Sequence, residues 1–198
     1  MNINLVINQI NILNLMVWLC SSALIVSVIA DFLLYQENDN TKKVKKSKVA
    51  TWNMSLLFFV IYLLIISNTW KLYIPDNYKI IIITIWIILT IIWTIFNIIW
   101  RFYLSNNWAN HIKIYDNHSL VTSWPYKIVR HPLYASLIWF WLWVWLVYSN
   151  ILVIVLISFV FIPMMYYRAR QEEILLSERF KEYTDYKKKV WMFFPKIF

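Results

Sequence analysis

The sequence predicts an all-α, polytopic integral membrane protein: about five transmembrane helices, with a cytosolic pocket formed by the loop before the fourth helix and the C-terminal tail. Three observations carry that expectation. Hydrophobic residues make up 61% of the 198, against roughly 45–50% in soluble chains, and they fall in long runs. The cations are unevenly shared between the loops. Finally, two polar clusters, Trp124 to Tyr134 and Arg168 to Leu176, bracket some 33 almost wholly apolar residues. An apolar hairpin of that length leaves through a bilayer and returns, so it places both clusters on one side.

The spans run over about 9–35, 50–70, 80–103, 133–148 and 151–167, followed by a cytosolic tail, 168–198, all in a single domain of 1–198. A helix needs about 20 apolar residues to cross, with a range of about 17–25. The last two spans are short, and only Ser149-Asn150 separates them, which reads as a tight helical hairpin. Isoleucine and valine are abundant, yet an open sheet in lipid leaves its backbone unsatisfied, so the spans are read as helices. Trp139, Trp141, Trp143 and Trp145 are spaced by two and spread around a helix, which suits lipid and helix packing better than a stacking site.

Orientation follows from Lys and Arg. Five lysines (Lys42, Lys43, Lys45, Lys46, Lys48) occupy the first loop, Arg101, Lys113, Lys127 and Arg130 lie in or beside the third, and eight more follow from Arg168 onward. Only Lys71 and Lys79 fall on the other side. The positive-inside rule puts the N-terminus outside and both polar clusters in the cytoplasm. In a prokaryote that is the inner membrane. The net charge of +9 is accounted for by topology and anionic lipid, and no nucleic-acid motif is present. Met1 to Asn11 lacks the basic start of a signal peptide, and Pro195-Lys196-Ile197-Phe198 is no prenylation box. Cys20 reads as a small buried hydrophobe.

In the tail, Arg168 and Glu172 are one helical turn apart and share a face. Phe180, Tyr183, Tyr186 and Phe194-Pro195 mark a segment able to lie back on the membrane. The loop 104–134 holds all three histidines, His111, His118 and His131. Their spacings fit no metal pattern, and no metal is expected. Trp124-Pro125-Tyr126 reads as a turn, and Pro132 suits the first turn of the helix that follows.

The run His118-Ser119-Leu120-Val121, then Trp124-Pro125-Tyr126, Val129-Arg130-His131-Pro132-Leu133-Tyr134, and after the hairpin Arg168, Glu172-Glu173, Leu175, Phe180, Tyr183, Tyr186 and Phe194-Pro195, resembles the isoprenylcysteine carboxyl methyltransferase family. The prokaryotic five-span members are especially similar, and Asn106-Asn107-Trp108 and Ser149-Asn150 fit them too. The resemblance covers about residues 75–198. It implies S-adenosyl-L-methionine as cofactor, in a cytosolic pocket closed by the tail. It also implies that His111, His118, Ser119, Leu120, Val121, Tyr126, His131, Pro132, Leu133, Tyr134 and Glu172 line the cofactor site. Arg168 would hold the carboxylate of a lipophilic or prenylated substrate at a lipid-facing opening. A carboxylate is already ionised at neutral pH, so attack on a sulfonium methyl needs no general base. Positioning and exclusion of water then carry the reaction.

The chain contains no glycine and 13 tryptophans, where usual composition gives about 14 glycines in this length. Members of the family usually carry Gly at the position of Trp124, and often near Trp145 and Trp191, and Phe180-Lys181-Glu182-Tyr183 also lacks its usual Gly. Two readings stay open: divergence that alters the pocket, or a gene whose UGA codons mean glycine and are rendered here as tryptophan. UGG at codons 124, 145 and 191 excludes the second. Other activities compatible with the pattern are a phospholipid N-methyltransferase, an NADPH-dependent sterol or isoprenoid reductase and a non-catalytic membrane scaffold. Binding of S-adenosylmethionine, of NADPH or of neither separates these classes.

Overall fold

The computed structural model describes residues 3–34, 41–45, 48–67, 69–104, 112–115 and 120–194. Helices dominate: α1 (Ile3–Leu34), α2 (Lys48–Ile66), α3 (Asp76–Leu104), α4 (Pro132–Tyr148), α5 (Ile151–Leu156), α6 (Ile162–Arg179) and α7 (Tyr183–Lys189). Two helical stretches, Lys79–Leu104 and Ile151–Arg179, are long and apolar enough to cross a membrane, and Asn14–Ser27, Leu56–Ile65 and Pro132–Tyr148 are shorter apolar helices. The protein is thus a helical membrane protein.

Two features were not expected from the sequence. β1 (Thr41–Lys45) and β2 (Ile112–Tyr115) pair antiparallel, Lys45 opposite Ile112 and Thr41 opposite Tyr115, with an irregularity between Thr41 and Lys43. This ribbon joins two loops that the sequence leaves unstructured, and β2 also packs against α6. The second feature is that the last span does not stop at 167. One unbroken helical rod runs from α5 to the end of α6 through a π-helical turn, Ile157–Phe161. Pro163 follows that turn. A proline lacks an N–H and crowds the carbonyl four residues back, and a widened turn just before it accommodates both effects.

The core is built on two buried rows. On the rod, Val153, Ile157, Phe161, Met165 and Ala169 are completely buried, one turn apart. They pack with Ala135 and Ile138 of α4 and Leu57 and Ile61 of α2. On α3, Ile83, Ile87, Thr90, Thr94, Asn97 and Arg101 alternate by four and three, the spacing of a helix–helix seam, and α3 packs along α4. α1 closes the other side with Val17, Cys20 and Leu24 against Phe140 and Val144. The opposite face of α3 (Ile81, Ile85, Ile88, Ile92, Ile95, Ile99) is exposed, as lipid contact requires. Trp139 stacks on Trp143 at 5.9 Å and on Trp93 at 5.6 Å, while Trp141 turns to Phe58. The indoles therefore serve helix packing, although Trp139 and Trp143 do share a face.

The hairpin turn between α4 and α5 is pinned. Ser149 adopts left-handed geometry and ends α4, with its N–H bonding Trp145 O. Asn150 caps α5 by accepting from Leu152 N (3.0 Å) and Val153 N (3.3 Å), and it donates to the carbonyls of Leu64 (3.0 Å) and Thr69 (2.9 Å). Backbone bonds Leu72 N to Ser149 O (2.8 Å) and Ile151 N to Trp70 O (3.0 Å) complete the join to the segment after α2. The turn predicted at Ser149-Asn150 is thus there, and it holds three elements together.

Candidate functional site

The site forms where the hairpin returns. Trp124 to Ile128 make a turn in which Ile128 N and Val129 N reach back to Pro125 O. Pro132 then opens α4 at its first turn, where its missing N–H costs nothing. Just before it, Arg130 N donates to Trp191 O (2.8 Å) and His131 N to Met192 O (3.0 Å), and Val129 bridges Trp191 in parallel. The C-terminal strap after α7 therefore lies alongside the segment that leads into α4.

The rod supplies the other half. Tyr134 donates its hydroxyl to Glu172 Oε1. His131 lies between two carboxylates, Nδ1 at 3.5 Å from Glu172 Oε2 and Nε2 at 3.4 Å from Glu173 Oε1. Its ring stacks on Tyr134 at 5.7 Å and meets Phe193 edge-on at 6.2 Å. The guanidinium carbon of Arg168 lies 5.9 Å from the centre of the Tyr134 ring. Glu172 keeps 30% of its side chain exposed while Glu173 keeps 1%. Burial disfavours charge on His131, but the two neighbouring glutamates outweigh it and raise its pKa. Burial, and then Glu172 and Tyr186, push the Tyr126 phenol up.

The predicted residues Tyr126, His131, Pro132, Leu133, Tyr134, Arg168 and Glu172 thus belong to one end of the helical hairpin. Tyr126 is buried, and its carbonyl accepts from Tyr186 Oη at 2.6 Å. Leu133 is half-buried, and its carbonyl accepts from Ser136 Oγ (2.8 Å) and Asn97 Nδ2 (3.4 Å). Leu120 and Val121 are half-buried in the stretch before the turn and bring no polar side chain to the cluster. His111, His118 and Ser119, like Asn106-Asn107-Trp108, lie outside the described residues. Trp124 points away from the glutamates: 42% exposed, it meets Tyr103 edge-on at 5.1 Å and Trp100 at 6.5 Å. Its indole is turned toward the end of α3.

Sequence reasoning passed over Glu173, Arg130 and Lys187 as site residues. Arg130 Nε donates to Glu173 Oε1 at 2.8 Å, and Lys187 Nζ lies 2.9 Å from Glu173 Oε2. Glu173 was detectable as the next step, by four, of the row from Val153 to Ala169. Asn97 was missed too: it donates to Ser136 Oγ (2.6 Å) and accepts from Arg101 Nε (2.9 Å), locking α3 to the first turn of α4. Chemically, a partly exposed carboxylate among aromatic rings suits an ammonium or another soft cation. A neighbouring guanidinium suits a carboxylate, through paired hydrogen bonds.

Residues 83–178 match the model of the isoprenylcysteine carboxyl methyltransferase (ICMT) family. That stretch runs from early α3 to the last turn of α6 and includes both polar clusters. No curated protein matches the chain.

Proposed function

Because the chain belongs to the isoprenylcysteine carboxyl methyltransferase family, we propose that it methylates a membrane-partitioned substrate from S-adenosyl-L-methionine. The acceptor is the carboxylate of an isoprenoid-cysteine-like molecule or of another lipophilic acid. The observation that carries the reading is the meeting of His131 and Tyr134 with Glu172 across the hairpin.

The donor set fits such a cofactor. Glu172 can accept its ammonium group while His131 holds that carboxylate in place, and the Tyr134 and Tyr126 rings offer faces to a sulfonium. Leu133 and Pro132 add apolar wall, and the family resemblance assigns His111, His118, Ser119, Leu120 and Val121 to the same cofactor. The bound cofactor supplies an electrophilic methyl group. Arg168, beside Tyr134, orients the acceptor carboxylate, which is ionised at neutral pH and gives up no proton to the protein. The C-terminal strap, in this reading, excludes water from the reacting groups, which strips the nucleophile of competing hydrogen bonds. In this reading five spans cross the bilayer, the N-terminus is outside and the site faces the cytoplasm. A phospholipid amine as acceptor is disfavoured by Arg168, a poor neighbour for a cation.

Calorimetry of the detergent-purified protein with S-adenosylhomocysteine tests the reading. Binding of that ligand and not of NADPH is expected; NADPH binding would point to a reductase, and binding of neither to a scaffold. Arg168→Ala should abolish methyl transfer to a prenylcysteine analogue while S-adenosylhomocysteine still binds. Glu172→Ala should weaken that binding at least tenfold, about 1.4 kcal/mol. Equal loss of binding in Arg168→Ala would remove the acceptor role given to Arg168.

A further inference from the structure

Arg130 makes three side-chain hydrogen bonds beside the site, and the roles assigned above leave it unused. Its Nε donates to Glu173 Oε1 at 2.8 Å. One terminal nitrogen donates to Lys187 O at 2.9 Å and also to Val190 O. Its own N–H donates to Trp191 O at 2.8 Å. The side chain is 8% exposed and Glu173 1%. The two carbonyls belong to the end of α7 and the residue after it, where helical carbonyls have no partner of their own. One planar group therefore ties three places together: the entry to α4, the last turns of α6 and the C-terminal strap.

We propose that Arg130 is a positioning residue that latches the C-terminal strap and, through Glu173, fixes the ring of His131 for the cofactor. Arg130 and His131 share Glu173 Oε1, at 2.8 and 3.4 Å. The strap also packs Phe193 on the His131 ring, and His131 N is held by Met192 O. Releasing the strap therefore frees His131 on the backbone and ring sides together. Lys187 (2.9 Å) and Arg170 (3.7 Å) also face Glu173, on its other oxygen. They neutralise the carboxylate but do not hold the strap's carbonyls. Lysine at 130 would preserve the charge and lose the fork, because an ammonium on a flexible stem cannot address a carboxylate and two carbonyls in fixed directions.

The cofactor half of this inference rests on the methyltransferase reading, and the latch does not. Two measurements on full-length protein in detergent separate them: the rate of tryptic cleavage in the 187–189 lysine run, and the affinity for S-adenosylhomocysteine. In Arg130→Lys, cleavage should accelerate at least tenfold and affinity fall at least tenfold. By linkage, S-adenosylhomocysteine should slow cleavage of the wild type, since a ligand that needs the docked strap must stabilise it. A merely structural arginine would show no such protection. Unchanged cleavage in Arg130→Lys overturns the latch. Faster cleavage with unchanged affinity overturns the coupling to His131. A wild type that ignores S-adenosylhomocysteine sinks the methyltransferase reading and the coupling with it, while cleavage still decides the latch. Should Arg130→Lys fail to fold, a chain ending at Lys189 asks the same question. It lacks the acceptors at 190–192 and keeps the Arg130–Glu173 pair, and wild-type affinity there refutes the proposal.

Discussion

Trp70 sits at φ 57, in the left-handed region. For a bulky residue that conformation costs roughly 1–2 kcal/mol, and the indole recovers little, since the residue is 66% exposed. The position must turn sharply, because Trp70 O accepts Ile151 N while Lys71 bridges Asn150. Trp70→Gly should therefore stabilise the protein. Offsetting the greater entropy of an unfolded glycine, about 0.5–1 kcal/mol, leaves a net gain of about 1 kcal/mol and a rise in Tm of about 2–4 °C. A thermal melt in detergent checks this, and a lower Tm would mean that the indole packs usefully. Position 70 also joins 124, 145 and 191 as a place where glycine would be at home. The backbone at 70 supports UGA read as glycine, and UGG at that codon would remove the support. The outward turn of the Trp124 ring shows how the cluster forms with a tryptophan at 124.

Among the elements, the hairpin was legible and its anchorage was not. Apolar runs on either side of Ser149-Asn150 announce two helices and a tight turn. Nothing in the string says that Asn150 reaches the carbonyls of Leu64 and Thr69, more than eighty residues away. Asn150→Ala removes the cap of α5 and takes a donor from the carbonyls of Leu64 and Thr69, of which Leu64 O keeps Ser67 Oγ at 2.9 Å. The expected cost is about 2–4 kcal/mol, read as a lowered unfolding midpoint; an unchanged midpoint would show that the pin contributes nothing. The rod from α5 through α6 makes a similar point. Its apolar stretch ends near Tyr167, so the sequence stops the span there. The helix continues because Ala169 and Glu173 extend the buried row, and Glu173 meets Arg130, His131 and Lys187. Satisfied charge, which hydropathy counts as a break, continues the packing.

For the whole molecule, the proposed orientation puts Trp70 and Lys188 on opposite sides of the membrane. Cys20 is buried and is the chain's one cysteine, so single cysteines at exposed sites can report topology. In intact cells an impermeant maleimide should label Trp70→Cys. It should label Lys188→Cys, whose parent side chain is 72% exposed, only after lysis. The reverse pattern would invert the orientation.

Composition and pattern by themselves determined a helical membrane protein, its apolar hairpin and the family that residues 83–178 match, because hydrophobic run length and local motifs are properties of neighbours along the chain. Only the tertiary structure decided that Tyr134 and His131 meet Glu172, that Glu173 is the buried carboxylate, and that Arg130 clasps the tail. Those contacts join residues 38 to 60 positions apart. They depend on how far the rod travels and which face it turns inward, and helix packing sets both.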